Sequence, residues 1–155
     1  MSQATEQFLS FDLTSTIQAM LPTQQLTEIL NLSFNQIVPI PEIAAQIMGV
    51  CNWRGEVLWL VDLGYLLGSE PLFSHRRSTC KAIVVQYQGH TLGLVVNQVK
   101  QMVWCDVAQV QAMPETPFTP ELSTCLQGYW LTPQNETLLV LDSDVIVDFF
   151  RRQYL

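Results

Sequence analysis

The side chains of this sequence that do covalent or acid–base chemistry in other proteins are few and far apart. His75 stands beside Arg76 and Arg77 in a polar stretch, and His90 follows Gly89 at a hairpin tip facing solvent, so neither is held against a nucleophile or a second base. No serine sits in a Gly-x-Ser-x-Gly elbow, no glycine-rich loop is laid out to cradle a phosphate, and no His-x-x-x-His pair offers a metal two ligands on one helical face. Cys51, Cys80, Cys105 and Cys125 are 29, 25 and 20 residues apart. That spacing fits neither a paired-ligand zinc site nor a compact disulfide framework, and the four read as buried thiols. Asp62 and Asp142 each stand between an apolar run and a short helical stretch, where an aspartate caps the helix. The sequence therefore predicts no catalytic residue, no metal and no cofactor.

What remains is recognition, and it concentrates in residues 49 to 63, Gly-Val-Cys-Asn-Trp-Arg-Gly-Glu-Val-Leu-Trp-Leu-Val-Asp-Leu. A polar turn carrying Asn52, Arg54 and Gly55 leads into a nearly all-apolar strand, Val57 to Val61. The strand is packing; the turn is exposed. Eighty residues later the pattern returns, Glu56-Val-Leu-Trp-Leu-Val-Asp62 being answered by Glu136-Thr-Leu-Leu-Val-Leu-Asp142. Gly49-Val50 is answered by Gly128-Tyr129, and Thr16 to Pro22 by Thr91 to Asn97. Landmarks kept in order over half the chain predict two like-built lobes.

The elements that carry these residues are short. Phe8 to Leu13 and Ile17 to Leu21 read as strands, the second interrupted by Pro22. Leu26, Ile29 and Leu30 suit a helix or the end of a strand, and the pattern alone leaves both open. Pro41 is placed to start a short helix through Ile47, and Asp62 to cap another from Leu63 to Leu67 before Gly68. Ser69 to Ser78 reads as a polar crossing between lobes. Ala82 to Tyr87, a Gln88-Gly89 turn and Thr91 to Trp104 form the clearest hairpin, with a bend or bulge at Asn97 and Gln98. Pro114, Pro117 and Pro120 mark a loop, and Leu126 to Leu131 and Thr137 to Leu141 flank a turn at Thr132 to Glu136. A helix capped by Asp142 or Ser143 closes the chain, with Val145, Ile146, Phe149 and Phe150 on its apolar face and Arg151-Arg152 at its C-terminal dipole. Many short strands with frequent turns describe two small barrels rather than a parallel sheet.

Composition narrows the partners. A chain of 155 residues buries enough surface to need no disulfide or metal. Lobes of half that size are marginal alone and must share an interface. Only 14% of residues are charged while 48% are hydrophobic, which leaves a largely neutral surface open to protein partners. A formal net charge of −7 gives no long-range attraction for nucleic acid or anionic membranes. No N-terminal signal pattern and no run of 18 apolar residues is present, so a cytoplasmic location without membrane insertion is expected.

Taken together, these residues resemble the CheW-like coupling proteins of bacterial chemotaxis. The resemblance is carried by Pro39, Pro41, Gly49, Val50, Asn52, Arg54, Gly55, Asp62 and Leu63. To these add Ala19-Met-Leu-Pro22 with Leu26 and Glu28-Ile29, Gly93-Leu-Val-Val-Asn-Gln-Val99, and Gly128 with Leu141-Asp142. It spans Phe8 to Phe150. It implies a mainly β fold of two SH3-like five-stranded barrels and a single CheW-like domain over residues 1–155. Lobe limits are expected near 15–68 and 80–142, with an N-terminal strand and a C-terminal helix packing across. It also implies a non-catalytic adaptor joining methyl-accepting chemoreceptors to a CheA-type histidine kinase in chemotaxis, phototaxis or pilus motility. The receptor's helical tip would lie in an apolar groove between the lobes. Arg54, Asn52, Gly49 and Gly55, with Leu26 and Glu28, would form the partner surface. The chain departs from the family at Trp59, where proline is common, at Trp53, usually aliphatic, and at Asn97, usually aspartate. The same module serving another partner, such as a response regulator or a pilus component, is the alternative.

Overall fold

The computed structural model describes residues 5–66, 79–113 and 123–154. Within them, ten strands form two five-stranded sheets. One sheet holds β1 (Thr5–Asp12), β2 (Gln18–Pro22), β8 (Gln98–Asp106), β9 (Leu126–Leu131) and β10 (Thr137–Leu141), in the order β8-β1-β2-β10-β9. The other holds β3 (Leu26–Ser33), β4 (Ile47–Trp53), β5 (Glu56–Asp62), β6 (Thr79–Tyr87) and β7 (His90–Val96), in the order β3-β6-β7-β5-β4. Helix α1 (Leu63–Leu66) follows β5, and helix α2 (Ser143–Tyr154) follows β10. The fold is thus mainly β, two SH3-like lobes with short helices, as the sequence leads one to expect.

The lobe limits differ from those read along the chain. Neither 15–68 nor 80–142 makes a sheet of its own, because β2 pairs with β1 and β10 while β3 to β5 belong with β6 and β7. The central lobe is built from β3 to β7, and the terminal lobe from β1, β2 and β8 to β10. The chain crosses between them at Thr23–Gln25 and at Asn97. Ser69 to Ser78, read as the crossing between lobes, lies outside the described residues. Pro114, Pro117, Pro120 and Gly68 also lie outside the described residues.

The repeat is real and reciprocally exchanged. Each half of the chain supplies a hairpin to one lobe and three strands to the other. Trp59 pairs with Leu92 in a parallel ladder, and Leu139 pairs with Ala19 in the corresponding one. Val38 bridges Val50 beside Gly49, as Gln111 bridges Tyr129 beside Gly128. These pairs equate Ala19 with Leu92, two residues away from the alignment of Thr16 with Thr91; a shift of two keeps side chains on the same face, so pattern alone does not detect it.

Burial on both faces explains the near-continuous apolar strands. In β5, Leu58 and Leu60 fill the central lobe while Val61 points into a shared core between the lobes; in β10, Leu138 and Val140 fill the terminal lobe while Leu139 and Leu141 enter that same core. Ile146, Val147 and Phe150 of α2 complete it. The helix begins after a terminal-lobe strand and packs on β6 and β7 of the central lobe, so it ties the two together. Among the described residues the middle of the inter-lobe contact is therefore filled by side chains.

Leu26 to Leu30 proves to be strand. The helix expected from Pro41 does not form: residues 41–46 make turns, with Glu42 at φ 62, and β4 already starts at Ile47. The antiparallel bridge from Val38 to Val50 forces the chain to double back in this short span. Asn97 does break the strand, which resumes at Gln98. His90 is half-buried rather than solvent-facing.

The two aspartates cap as expected. Asp62 Oδ1 accepts from Tyr65 N at 3.2 Å, and Asp142 Oδ1 accepts from Asp144 N at 3.0 Å. Asp142 also accepts from the side-chain amides of Gln25 and Gln127, at 3.1 and 3.2 Å, while Gln25 Oε1 receives both Ser143 N and Ser143 Oγ. The C-terminal helix is thereby fastened to the first crossing segment. Asp142→Ala is expected to cost about 1–2 kcal/mol in urea unfolding, and Asp142→Asn less than half of that, because asparagine retains a cap acceptor.

Candidate partner-binding site

The turn between β4 and β5 is two residues long. Arg54 and Gly55 take φ values of 52° and 79°, the hairpin geometry whose twist matches that of its strands. Asn52 Oδ1 accepts from Gly55 N at 3.1 Å and holds the turn shut. A left-handed arginine costs about 1 kcal/mol relative to glycine, so its side chain is kept there at some expense to the fold.

Glu28 lies on β3, and β3 and β4 are the opposite edges of the central sheet. Curling brings those edges together. Glu28 Oε1 accepts from Trp53 Nε1 at 2.8 Å and from Arg54 Nη2 at 2.8 Å, while the Arg54 guanidinium carbon stands 4.7 Å over the Trp53 ring. The indole is buried, and the arginine side chain is 64% exposed. An ion pair this open adds little stability. Its consequence is positional: Glu28 holds one edge of the guanidinium and the Trp53 ring lies under it, while most of the side chain stays open to solvent.

Four of the six expected site residues, Glu28, Asn52, Arg54 and Gly55, come together here. Gly49 and Leu26 serve from behind. Gly49 has φ 145° and a Cβ there would lie 2.3 Å from the Val38 carbonyl oxygen, so the glycine permits the bridge that carries the strand. Leu26 is half-buried and packs toward the inter-lobe core. Sequence reasoning left Trp53 and Val57 out of the site. Val57 is 69% exposed on the strand directly opposite Asn52, giving the charged turn an apolar flank. Its phase was readable, since Leu58 and Leu60 point inward and the residue one step before them must point out. Trp53→Phe keeps a ring under Arg54 and removes one donor to Glu28. It is expected to cost about 1 kcal/mol in urea unfolding and to weaken partner binding severalfold.

Nothing reactive competes with this surface among the described residues. All four cysteines are buried and outside any disulfide, and burial pushes the Cys105 and Cys125 thiols up to about 11, so both are protonated and unreactive at neutral pH. No three His, Cys, Asp or Glu side chains converge on a metal position, and no helix is long and apolar enough to cross a membrane.

The chain is a two-lobed β module that carries an exposed ion pair at the closed seam of one lobe. The CheW-like domain model matches residues 7–150, and the chain belongs to that family. It is 32% identical over 80 residues to the chemotaxis protein CheW of Rhizobium meliloti strain 1021, an alignment covering 50% of this chain and 48% of that protein; the chain thus spans about half the length of this curated relative. The crystal structure of the scaffolding protein TtCheW from Thermoanaerobacter tengcongensis superposes with a TM-score of 0.74 at 20% identity, covering 88% of each chain, and shares the fold.

Proposed function

We propose that this chain is a non-catalytic cytoplasmic adaptor that couples methyl-accepting chemoreceptors to a CheA-type histidine kinase. The observation that carries the proposal is the Glu28–Trp53–Arg54 cluster, which holds a cation outward at the closed seam of a CheW-like lobe. A fixed charge beside an apolar residue gives an interface its register and its encounter rate, and the apolar flank supplies buried area. Arg54, Asn52, Gly55 and Glu28 act at the contact, with Gly49 and Leu26 holding the strands that present them. The names of the relatives support the setting, one being a chemotaxis protein and the other a scaffold.

Affinity purification of the tagged chain, with mass spectrometry of what stays bound, tests the assignment. Recovery of a histidine kinase and a methyl-accepting receptor is expected, reduced in the Arg54→Glu variant. A second reading is favoured by Trp53, whose indole reshapes a position that is usually aliphatic: the same surface serves a response regulator or a pilus component. Recovery of either in place of the kinase would establish that reading.

A further inference from the structure

The strand ladders fix which positions of the two lobes correspond. Across the central sheet Trp59 pairs with Leu92, Leu92 with Val85 and Val85 with Leu26; across the terminal sheet Leu139 pairs with Ala19, Ala19 with Phe11 and Phe11 with Val99. Leu26 thus corresponds to Val99, and Glu28, two residues on, to Gln101. Both ladders slip at that step. Four residues beyond Gly49 and Gly128, each of which presses on a bridging carbonyl, stand Trp53 and Thr132. In the central lobe the Trp53 indole is buried in the lobe's own core, where its N–H donates to Glu28 Oε1 at 2.8 Å and the ring fills the end of the lobe between the two edge strands. Thr132 brings no ring to the corresponding place. Its hydroxyl turns to its own loop, accepting from Gln134 N at 3.2 Å and Glu136 N at 3.1 Å.

That end of the terminal lobe is a cleft of about 550 Å³, walled by all five strands of the sheet, with Ser10 from β1, Gln18 from β2, Gln101 from β8, Trp130 from β9 and Leu138 from β10. Small-molecule sites are typically roughly 300–1,000 Å³. Trp130 and Leu138 are buried and give the cleft an apolar floor. Trp130 spends its N–H on Gln109 Oε1 at 3.4 Å, so it adds ring surface and no donor. Ser10 Oγ satisfies both main-chain groups of Gln101, donating to its carbonyl at 2.8 Å and accepting from its N–H at 3.2 Å. The Gln101 side-chain amide has no hydrogen-bond partner among the described residues, and it stands where the central lobe has the acceptor Glu28. Lys100 and Glu136 are the ionic side chains in the wall, one of each sign, and Lys100 already lies 3.8 Å from Asp12, so the cleft offers no field to a charged ligand.

We propose that the cleft binds a free small molecule built on a planar, uncharged aromatic ring with one N–H, of the indole class, seated in the terminal lobe as the Trp53 indole is seated in the central one. The ring lies against Trp130 and Leu138, and its N–H donates to Gln101 Oε1 as Trp53 Nε1 donates to Glu28. An amide accepts such a donor more weakly than a carboxylate does, which suits a ligand that comes and goes rather than a permanent plug. The inference goes beyond the adaptor reading and does not depend on it.

The probes are indole and benzofuran, which has the same shape with oxygen in place of N–H, each titrated into the ¹⁵N-labelled full chain and followed by NMR. Indole is expected to give saturable shifts at the Trp130 indole, the Gln101 side-chain amide and the Thr132 amide, and to bind about fivefold more tightly than benzofuran. Gln101→Leu should bring the two probes to equal affinity. Thr132→Trp combined with Gln101→Glu copies the central-lobe arrangement into the cleft and should abolish indole binding; the single variant decides the matter should the double one not fold. No saturable shift, shifts centred on the central lobe, equal binding of benzofuran by the wild type, or a preference for indole that survives Gln101→Leu would each overturn the proposal. So would undiminished binding by the folded double variant, or tighter binding of N-acetyltryptophanamide than of indole, which would assign the cleft to a tryptophan side chain of a partner protein.

Discussion

Replacing Arg54 by glutamate is expected to leave the fold standing and to remove about tenfold or more of the affinity for the proposed histidine-kinase partner. The substitution sets a second carboxylate against Glu28 and strips the cation from the Trp53 ring, in a chain that already carries −7. Because the side chain is mostly exposed, thermal stability should change by less than about 1 kcal/mol. The positive φ is as tolerable for glutamate as for arginine. Arg54→Lys separates charge from geometry: lysine keeps the sign but has no planar fork to hold Glu28 and stack on the indole together, so an intermediate affinity is expected. Surface plasmon resonance over a range of salt concentrations reads both effects, since a rim charge acts mainly on the association rate and is screened by ions. Unchanged binding in Arg54→Glu would remove this turn from the interface.

The largest stability effects belong to two glycines. A Cβ on Gly49 would stand 2.3 Å from the Val38 carbonyl oxygen, and one on Gly128 would stand 2.2 Å from that of Gln111, with φ 145° and 151°. Both obstacles are backbone atoms in paired bridges, which cannot swing aside as a side chain does. Gly49→Ala and Gly128→Ala are each expected to cost about 3 kcal/mol or more, lowering the melting temperature by roughly 6–12 °C. Gly55→Ala is the control, since it has φ 79° but no atom within 4 Å of the added carbon, and its cost should be about 1 kcal/mol. Equal losses at Gly49 and Gly55 would mean that torsion alone, and not the close backbone approach, explains the glycine at both.

Much of this was legible along the chain, and what was not has a physical reason. Strand ends, hairpin turns and aspartate caps depend on residues within a few positions, so Gln88-Gly89, Thr132 to Glu136 and Asp142 are found from local chemistry. The duplication was legible too. Which half's strands pair was not, because reciprocal exchange leaves the order of strands and glycines along the chain unchanged. Pro41 gives a valid local signal for a helix start, yet the bridge from Val38 to Val50 overrides it. The turn residues Asn52, Arg54 and Gly55 announce themselves as a group. Their contact with Glu28 does not, since it arises only when opposite sheet edges meet, and nothing near Glu28 in sequence signals that closure.

The central claim is that one chain grips two partners at once. Sedimentation velocity on an equimolar mixture of this chain, the proposed histidine kinase and a receptor cytoplasmic fragment tests it most directly. The account predicts one species with the summed mass of all three, formed only when this chain is present and diminished with Arg54→Glu. Two separate binary complexes that exclude each other, or a kinase–receptor complex of equal abundance without this chain, would contradict it.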